Sequence, residues 1–223
     1  MRVKICGISS LDQAIAIAEL GATDLGFICV SRSPRYIAVN PLKTITCGLE
    51  HRGIEVGTVG VFVDAPMDVI ISIVHQTRLK TIQLHGQESL ETCQQLRYLL
   101  PDTEVIKAIR VRGPEDLDRA YSYATAVHGL LLDAYHPHLH GGTGQSLNWN
   151  TLGNFRPGCP WLLAGGLNPD NIQTALAQTA PDGIDLSSGV EQSPGVKDLT
   201  LVKALFEQLA FLPSKSGLLT SGQ

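Results

Sequence analysis

Short apolar runs recur from one end of the chain to the other: VKIC, DLGFICV, VGTVGVFV, TIQLH, VIKAI, GLLLD, WLLAG and GIDLS, each separated from the next by an amphipathic stretch. Runs this short and this rich in Val and Ile read as strands, and their lack of polar alternation means that both faces are buried. Such strands need helices on either side, which βα units around a parallel sheet provide. Alternation alone permits an open doubly wound sheet or a closed barrel. About eight strands in 223 residues is the count that closes, so the expected fold is α/β, a (β/α)8 TIM barrel.

The intervening stretches carry helix signals. In SSLD, Ser9 reads as an N-cap with Asp12 reaching back, followed by an apolar stripe of Leu11, Ala14, Ile15 and Ala18 that Gly21 ends. Pro66, Pro114 and Pro169 sit where first helical turns should begin. Leu199, Val202, Leu205, Phe206 and Leu209 mark one face of a last helix. No Ser-, Gly- or Pro-rich linker divides the chain, which reads as one catalytic barrel over 1–212 and a flexible tail, PSKSGLLTSGQ, over 213–223.

A formal net charge of -4 argues against nucleic acid as a partner, since phosphate binding draws on a basic excess. The five cysteines form no CxxC pair and are odd in number, the usage of reduced thiols in a cytoplasmic protein. No apolar run approaches a membrane span, so no membrane partner is expected.

In a barrel of this kind the active site lies at the C-terminal ends of the strands. Cys6, Gln83, His85, Asp133 and Asp185 stand there, with Arg35 in the loop after the second strand. The last two strand ends carry Gly165-Gly166 and Ser187-Ser188-Gly189. Paired glycine loops at these positions suit a phosphate, because glycine lets backbone N–H groups approach an anion closely. Either loop alone would read as an ordinary turn; their adjacency favours the anion. Asp133, ending GLLLD, can either cap a loop or hold a proton for donation, as a partly buried carboxyl does. A lone Cys6 is more often packing than chemistry. Arg35 suits a substrate carboxylate or a solvated loop equally well.

GGTGQS at 141–146 lacks the spacing of a dinucleotide fingerprint and reads as a mobile lid. His136, His138 and His140 alternate as zinc ligands sometimes do, but Pro137 and the glycines around them suggest a solvated loop, and no metal is expected.

Taken together, KICGI, SPRYI, VGVFV, QLHG, LLLDAY, GGTG, AGGLNPDN and DLSSGVE resemble the phosphoribosylanthranilate isomerase family of tryptophan biosynthesis, in its order and over nearly the whole barrel. The resemblance implies an Amadori rearrangement of N-(5-phosphoribosyl)anthranilate, an aldose-to-ketose isomerisation without cofactor. It implies Asp133 as general acid on the ring oxygen and Cys6 as general base at C2 of the sugar. Arg35 would hold the anthranilate carboxylate, and Gly165, Gly166, Ser187, Ser188 and Gly189 the phosphate. Gln83, His85 and Asp185 would bind hydroxyls or support the site. A thiol near its ordinary pKa, about 8.5, is a sufficient base once an iminium ion acidifies the C–H, and Gly7 would leave the substrate room beside it. Many members carry a lysine after the lid glycines, where this chain has Gln145. A histidine-pathway isomerase would be expected to place Asp where Cys6 stands, and a non-catalytic binding barrel would not need both proton-transfer residues. The partner implied is a small phosphosugar, bound by a monomer or homodimer.

Overall fold

The computed structural model describes residues 1–134 and 149–211. The histidine run, the glycine lid with Gln145 and the chain from 212 onward, tail included, lie outside the described residues.

The eight apolar runs form β1 (Arg2–Cys6), β2 (Asp24–Ile28), β3 (Gly57–Phe62), β4 (Thr81–Leu84), β5 (Glu104–Val111), β6 (Gly129–Ala134), β7 (Trp161–Ala164) and β8 (Gly183–Leu186). They pair in parallel in chain order, and β1 closes onto β8 with Val3 opposite Ile184 and Lys4 opposite Asp185. Around them run α1 (Leu11–Glu19), α2 (Val39–His51), α3 (Met67–Thr77), α4 (Leu90–Leu99), α5 (Pro114–Tyr123), α6 (Ile172–Gln178) and α7 (Leu199–Ala210). Between β6 and β7 the described residues contain a 3-10 turn, Trp149–Leu152. None of the described helices is long and apolar enough to cross a membrane.

Strand side chains alternate between two cores. Ile5, Leu25, Phe27, Ile82, Leu130 and Leu163 belong to the layer shared with the helices and are fully buried, each worth about 1.5–3 kcal/mol. The opposite parity packs Ile106, Ala108, Leu131, Leu162 and Ala164 into a smaller cluster of their own. One strand residue of the outer layer is charged. Lys107 of β5 is buried, and its Nζ donates to the carbonyls of Leu84 and Gly86 at 3.2 and 2.8 Å and to Glu88 Oε2 at 3.0 Å. Glu88 in turn accepts from the N–H groups of Asp64 and Gly86, so this ion pair ties together the loops that leave β3 and β4.

Local details differ from the sequence reading where a side chain finds another partner. Ser10, not Ser9, caps α1, its Oγ accepting from the Gln13 N–H at 3.3 Å, because the Ser9 hydroxyl donates to the Gly195 carbonyl at 2.7 Å. Pro114 does head α5, whereas Pro66 stands one residue before α3. Pro169 lies in a turn: Asn168 Oδ1 accepts from the N–H groups of Asp170 and Asn171, which delays α6 to Ile172. Leu199 opens α7 but is exposed; Val202 and Leu205 carry its buried face. A small antiparallel hairpin, β9 (Glu191–Ser193) and β10 (Val196–Lys197), follows β8 and had no apolar run to announce it.

Candidate active site

At the C-terminal ends of the strands lies a cavity of about 760 Å³. Strand alternation selects its walls: Cys6, Ile28, Val61, Gln83, Asp133 and Ala164 all sit at the inward parity. Every strand-end residue singled out in the sequence lines this cavity, including Arg35, His85, Asp185, Gly165, Gly166, Ser187, Ser188 and Gly189.

On the β4–β6 side, Gln83 Nε2 donates to His85 Nδ1 at 3.1 Å, and His85 Nε2 lies 3.4 Å from Asp133 Oδ2. With Nδ1 accepting, the ring proton belongs on Nε2 and points at the carboxylate. Arg110 Nε is 4.0 Å from the same oxygen. The Asp133 side chain is 22% exposed, open enough to meet a ligand and closed enough to exclude bulk water from one side.

On the β1–β8 side, Cys6 is buried and opposite Gly26 of β2. A Cβ at Gly26 would stand 2.7 Å from Cys6 Sγ and 3.0 Å from Lys4 Cε, so the missing side chain is the space those two occupy. Burial pushes the Cys6 thiol up; Lys4, and more weakly Lys197, pull it down, and Asp185 adds to the rise. Desolvation outweighs the cations, so the buried thiol lies above the ordinary range of a free cysteine. Gly7 also differs from expectation. Its φ of +87° sets the turn, and a Cβ there would lie 2.9 Å from Arg35 Cδ, so the room it leaves is taken by the arginine.

Arg35 is held in place by a residue the sequence reading did not single out. Its Nε and Nη2 donate to the Glu191 carboxylate at 2.9 and 2.6 Å, while Lys197 Nζ donates to the same carboxylate at 2.7 Å. Arg35 Nη1 makes no hydrogen bond among the described residues. Lys197 also reaches the Ser187 carbonyl, and Ser187 Oγ donates to the Cys6 carbonyl, which ties the hairpin to the end of β1. Lys4 was likewise not singled out. Its signal was a lysine inside an apolar run, two residues before Cys6 and hence on the same face.

The loops after β7 and β8 face each other. Gly165 and Gly166 have φ of +102° and +67°, and a Cβ on Gly189 would overlap the Leu167 carbonyl. The N–H groups of Gly166, Ser188 and Gly189 donate to nothing among the described residues. Unspent amides converging on a cavity wall can receive an anion without displacing a protein partner.

A closed barrel with a cavity at the C-terminal strand ends, its lining including titratable side chains, is the arrangement of a (β/α)8-barrel enzyme. The sequence model of the family described as N-(5'phosphoribosyl)anthranilate (PRA) isomerase matches residues 3–208. A relative from Gloeothece citriformis, named N-(5'-phosphoribosyl)anthranilate isomerase, is 54% identical over 209 residues, 94% of each chain. The crystal structure of phosphoribosyl anthranilate isomerase from Thermotoga maritima superposes with a TM-score of 0.84 at 35% identity, covering 95% of this chain and all of that one. A crystal structure of such an isomerase in complex with reduced 1-(o-carboxyphenylamino)-1-deoxyribulose 5-phosphate gives 0.83 at 33% identity, over 95% of this chain and 100% of the other. The chain belongs to the N-(5'-phosphoribosyl)anthranilate isomerase family and is an isomerase.

Proposed function

We propose that this isomerase converts N-(5-phosphoribosyl)anthranilate to 1-(2-carboxyphenylamino)-1-deoxyribulose 5-phosphate for tryptophan synthesis, with Asp133 as acid and Cys6 as base. The observation that carries the assignment is the placement of Cys6 on β1 and Asp133 on β6 in the wall of one cavity, separated round the barrel by β7 and β8 with their unspent amides.

Asp133 protonates the furanose ring oxygen as the C1–O bond breaks, leaving an iminium ion between C1 and the anthranilate nitrogen. The Cys6 thiolate then takes the proton from C2, and the C–H electrons form the enolamine double bond. Ketonisation returns a proton to C1 and leaves the carbonyl at C2. C1 is reduced and C2 oxidised within one molecule, so electrons balance without an external acceptor. The acid and the base approach from different walls, as two separate proton transfers require.

Backbone N–H groups of Gly166, Ser188 and Gly189, with Gly165 and Ser187 shaping their loops, hold the phosphate. Anchoring that remote group fixes the sugar carbons between the two reacting side chains. Arg35 offers its Nη1 edge to the anthranilate carboxylate, with Glu191 holding the guanidinium at a constant angle. His85 steadies Asp133, Gln83 steadies His85, and Asp185 serves sugar hydroxyls or the charge beneath Cys6. The protein works in the cytoplasm as a monomer or homodimer; a T. maritima neighbour in its monomeric form is described as derived from a dimeric enzyme. Purified protein supplied with freshly made phosphoribosylanthranilate is expected to consume it, followed as loss of substrate fluorescence. Turnover no faster than spontaneous decay would overturn the assignment.

A further inference from the structure

Beneath Cys6 the barrel lumen holds a layer of charge that the two proton transfers leave unused. Lys4 and Cys6 share the inward face of β1, and Lys4 is 1% exposed. Lys4 Nζ donates to Asp185 Oδ1 at 2.9 Å across the β1–β8 seam, where the two residues are register partners. The space left by Gly26 brings the Lys4 stem and the Cys6 sulfur to the same spot from below and above. One ammonium proton is committed to Asp185, and the others are available to the sulfur.

The other charged and titratable groups around the thiol come from several elements. Asp185 approaches on β8, Lys197 on β10 and Glu191 on β9, Arg35 and Cys29 follow β2, and His85 and Asp133 face Asp185. Lys4, Lys197 and Arg35 set against Asp185 and Glu191 leave one positive charge in excess, which a thiolate at Cys6 neutralises. Lys197 and Arg35 both spend hydrogen bonds on Glu191, whereas Lys4 lies on the thiol's own strand face.

We propose that Lys4 is the positioning residue that favours ionisation of Cys6 against its burial, with Asp185 fixing the ammonium below the sulfur. The proposal rests on Cys6 being the base and adds how a buried thiol serves as one. Burial alone would lower the Lys4 ammonium, but Asp185 and Cys6 outweigh it and hold Lys4 above the ordinary lysine value, so the cation persists at working pH. Lys4 thus offsets part of the cost of ionising a buried thiol, and Asp185 moderates that offset by opposing the same charge.

The test is the titration of Cys6 itself, read from the 13Cβ shift of cysteine-labelled full-length enzyme without substrate and assigned with Cys6→Ser. Lys4→Met should raise the thiol pKa by at least about one pH unit, a tenfold loss of thiolate, and Asp185→Asn should lower it. Lys4→Met/Asp185→Asn removes the pair without changing net charge, reads out even where the single Lys4 variant does not fold, and should still titrate above wild type. Lys197→Met should shift the thiol less than Lys4→Met. In turnover, the acid limb of kcat for Lys4→Met should move up with the thiol while KM changes little. The proposal is overturned if Lys4→Met and the double variant titrate with wild type, or if Lys197→Met has the larger effect. Because the titration needs no substrate, it is independent of whether Cys6→Ser proves active, which tests the base assignment separately.

Discussion

Exchanging Glu191 for Gln keeps the shape of the side chain but removes the charge that two cations share. The Glu191 side chain is 3% exposed and that of Lys197 is fully buried, so solvent screens this pair little, whereas Arg35 at 23% is partly screened. Breaking a buried ion pair by removing one partner costs about 3–5 kcal/mol. For a chain of this size that corresponds to a fall in Tm of roughly 6–20 °C, at about 2–4 °C per kcal/mol. Urea unfolding of wild type, Glu191→Gln, Lys197→Met and the double variant would give the coupling energy directly. The pH dependence supplies a sign. Burial pushes the Glu191 carboxyl up, but Arg35 and Lys197 outweigh it and hold the group below the ordinary glutamate value. A depressed folded-state pKa contributes stability that is complete above the unfolded value, about 4.3, and is lost as pH falls through the folded one. The gap between wild type and Glu191→Gln should therefore narrow on acidification below about pH 4.3. A difference under about 1 kcal/mol at neutral pH, the size typical of exposed pairs, with no narrowing in acid, would refute the reasoning.

Gly189→Ala drives a methyl group into the Leu167 carbonyl and pushes apart the loops after β7 and β8. KM for phosphoribosylanthranilate and the inhibition constant for inorganic phosphate should both rise by about tenfold or more, the loss of one or two hydrogen bonds to a charged group; unchanged values would remove the phosphate from this wall. Lys107→Met strands the buried Glu88 carboxylate and should cost about 3–5 kcal/mol in urea unfolding, whereas a loss below about 1 kcal/mol would mean the pair is not what binds the β3 and β4 loops.

The strand count was legible because each apolar run is bounded by an amphipathic stretch, closure followed from that count, and Cys6, Gln83, Asp133 and Asp185 were legible as residues at strand C-terminal ends. The glycines of the last two loops were legible for a related reason: positive φ and close approach leave few other residues possible. Pairings between distant segments were not legible. Glu191 sits 156 positions from Arg35 and reaches it through a hairpin too short for any periodic pattern. Lys4 and Lys107 looked like interruptions of apolar runs, and only the carboxylates of Asp185 and Glu88 explain why each tolerates burial. The sequence points to Ser9 as the cap of the first helix, but the distant Gly195 carbonyl takes its hydroxyl and leaves the cap to Ser10. The thiol of Cys6 was read at its ordinary value because burial is a property of the closed barrel, not of the string VKICG.

The account depends most on the division of proton transfers between β1 and β6. Single-turnover rates for Cys6→Ser and Asp133→Asn with phosphoribosylanthranilate, on protein whose circular dichroism matches wild type, test it most directly. Each is expected to fall by at least about a hundredfold, the usual worth of a positioned acid or base. A near-normal rate for Cys6→Ser would contradict the assignment of the base, and a near-normal rate for Asp133→Asn would contradict that of the acid.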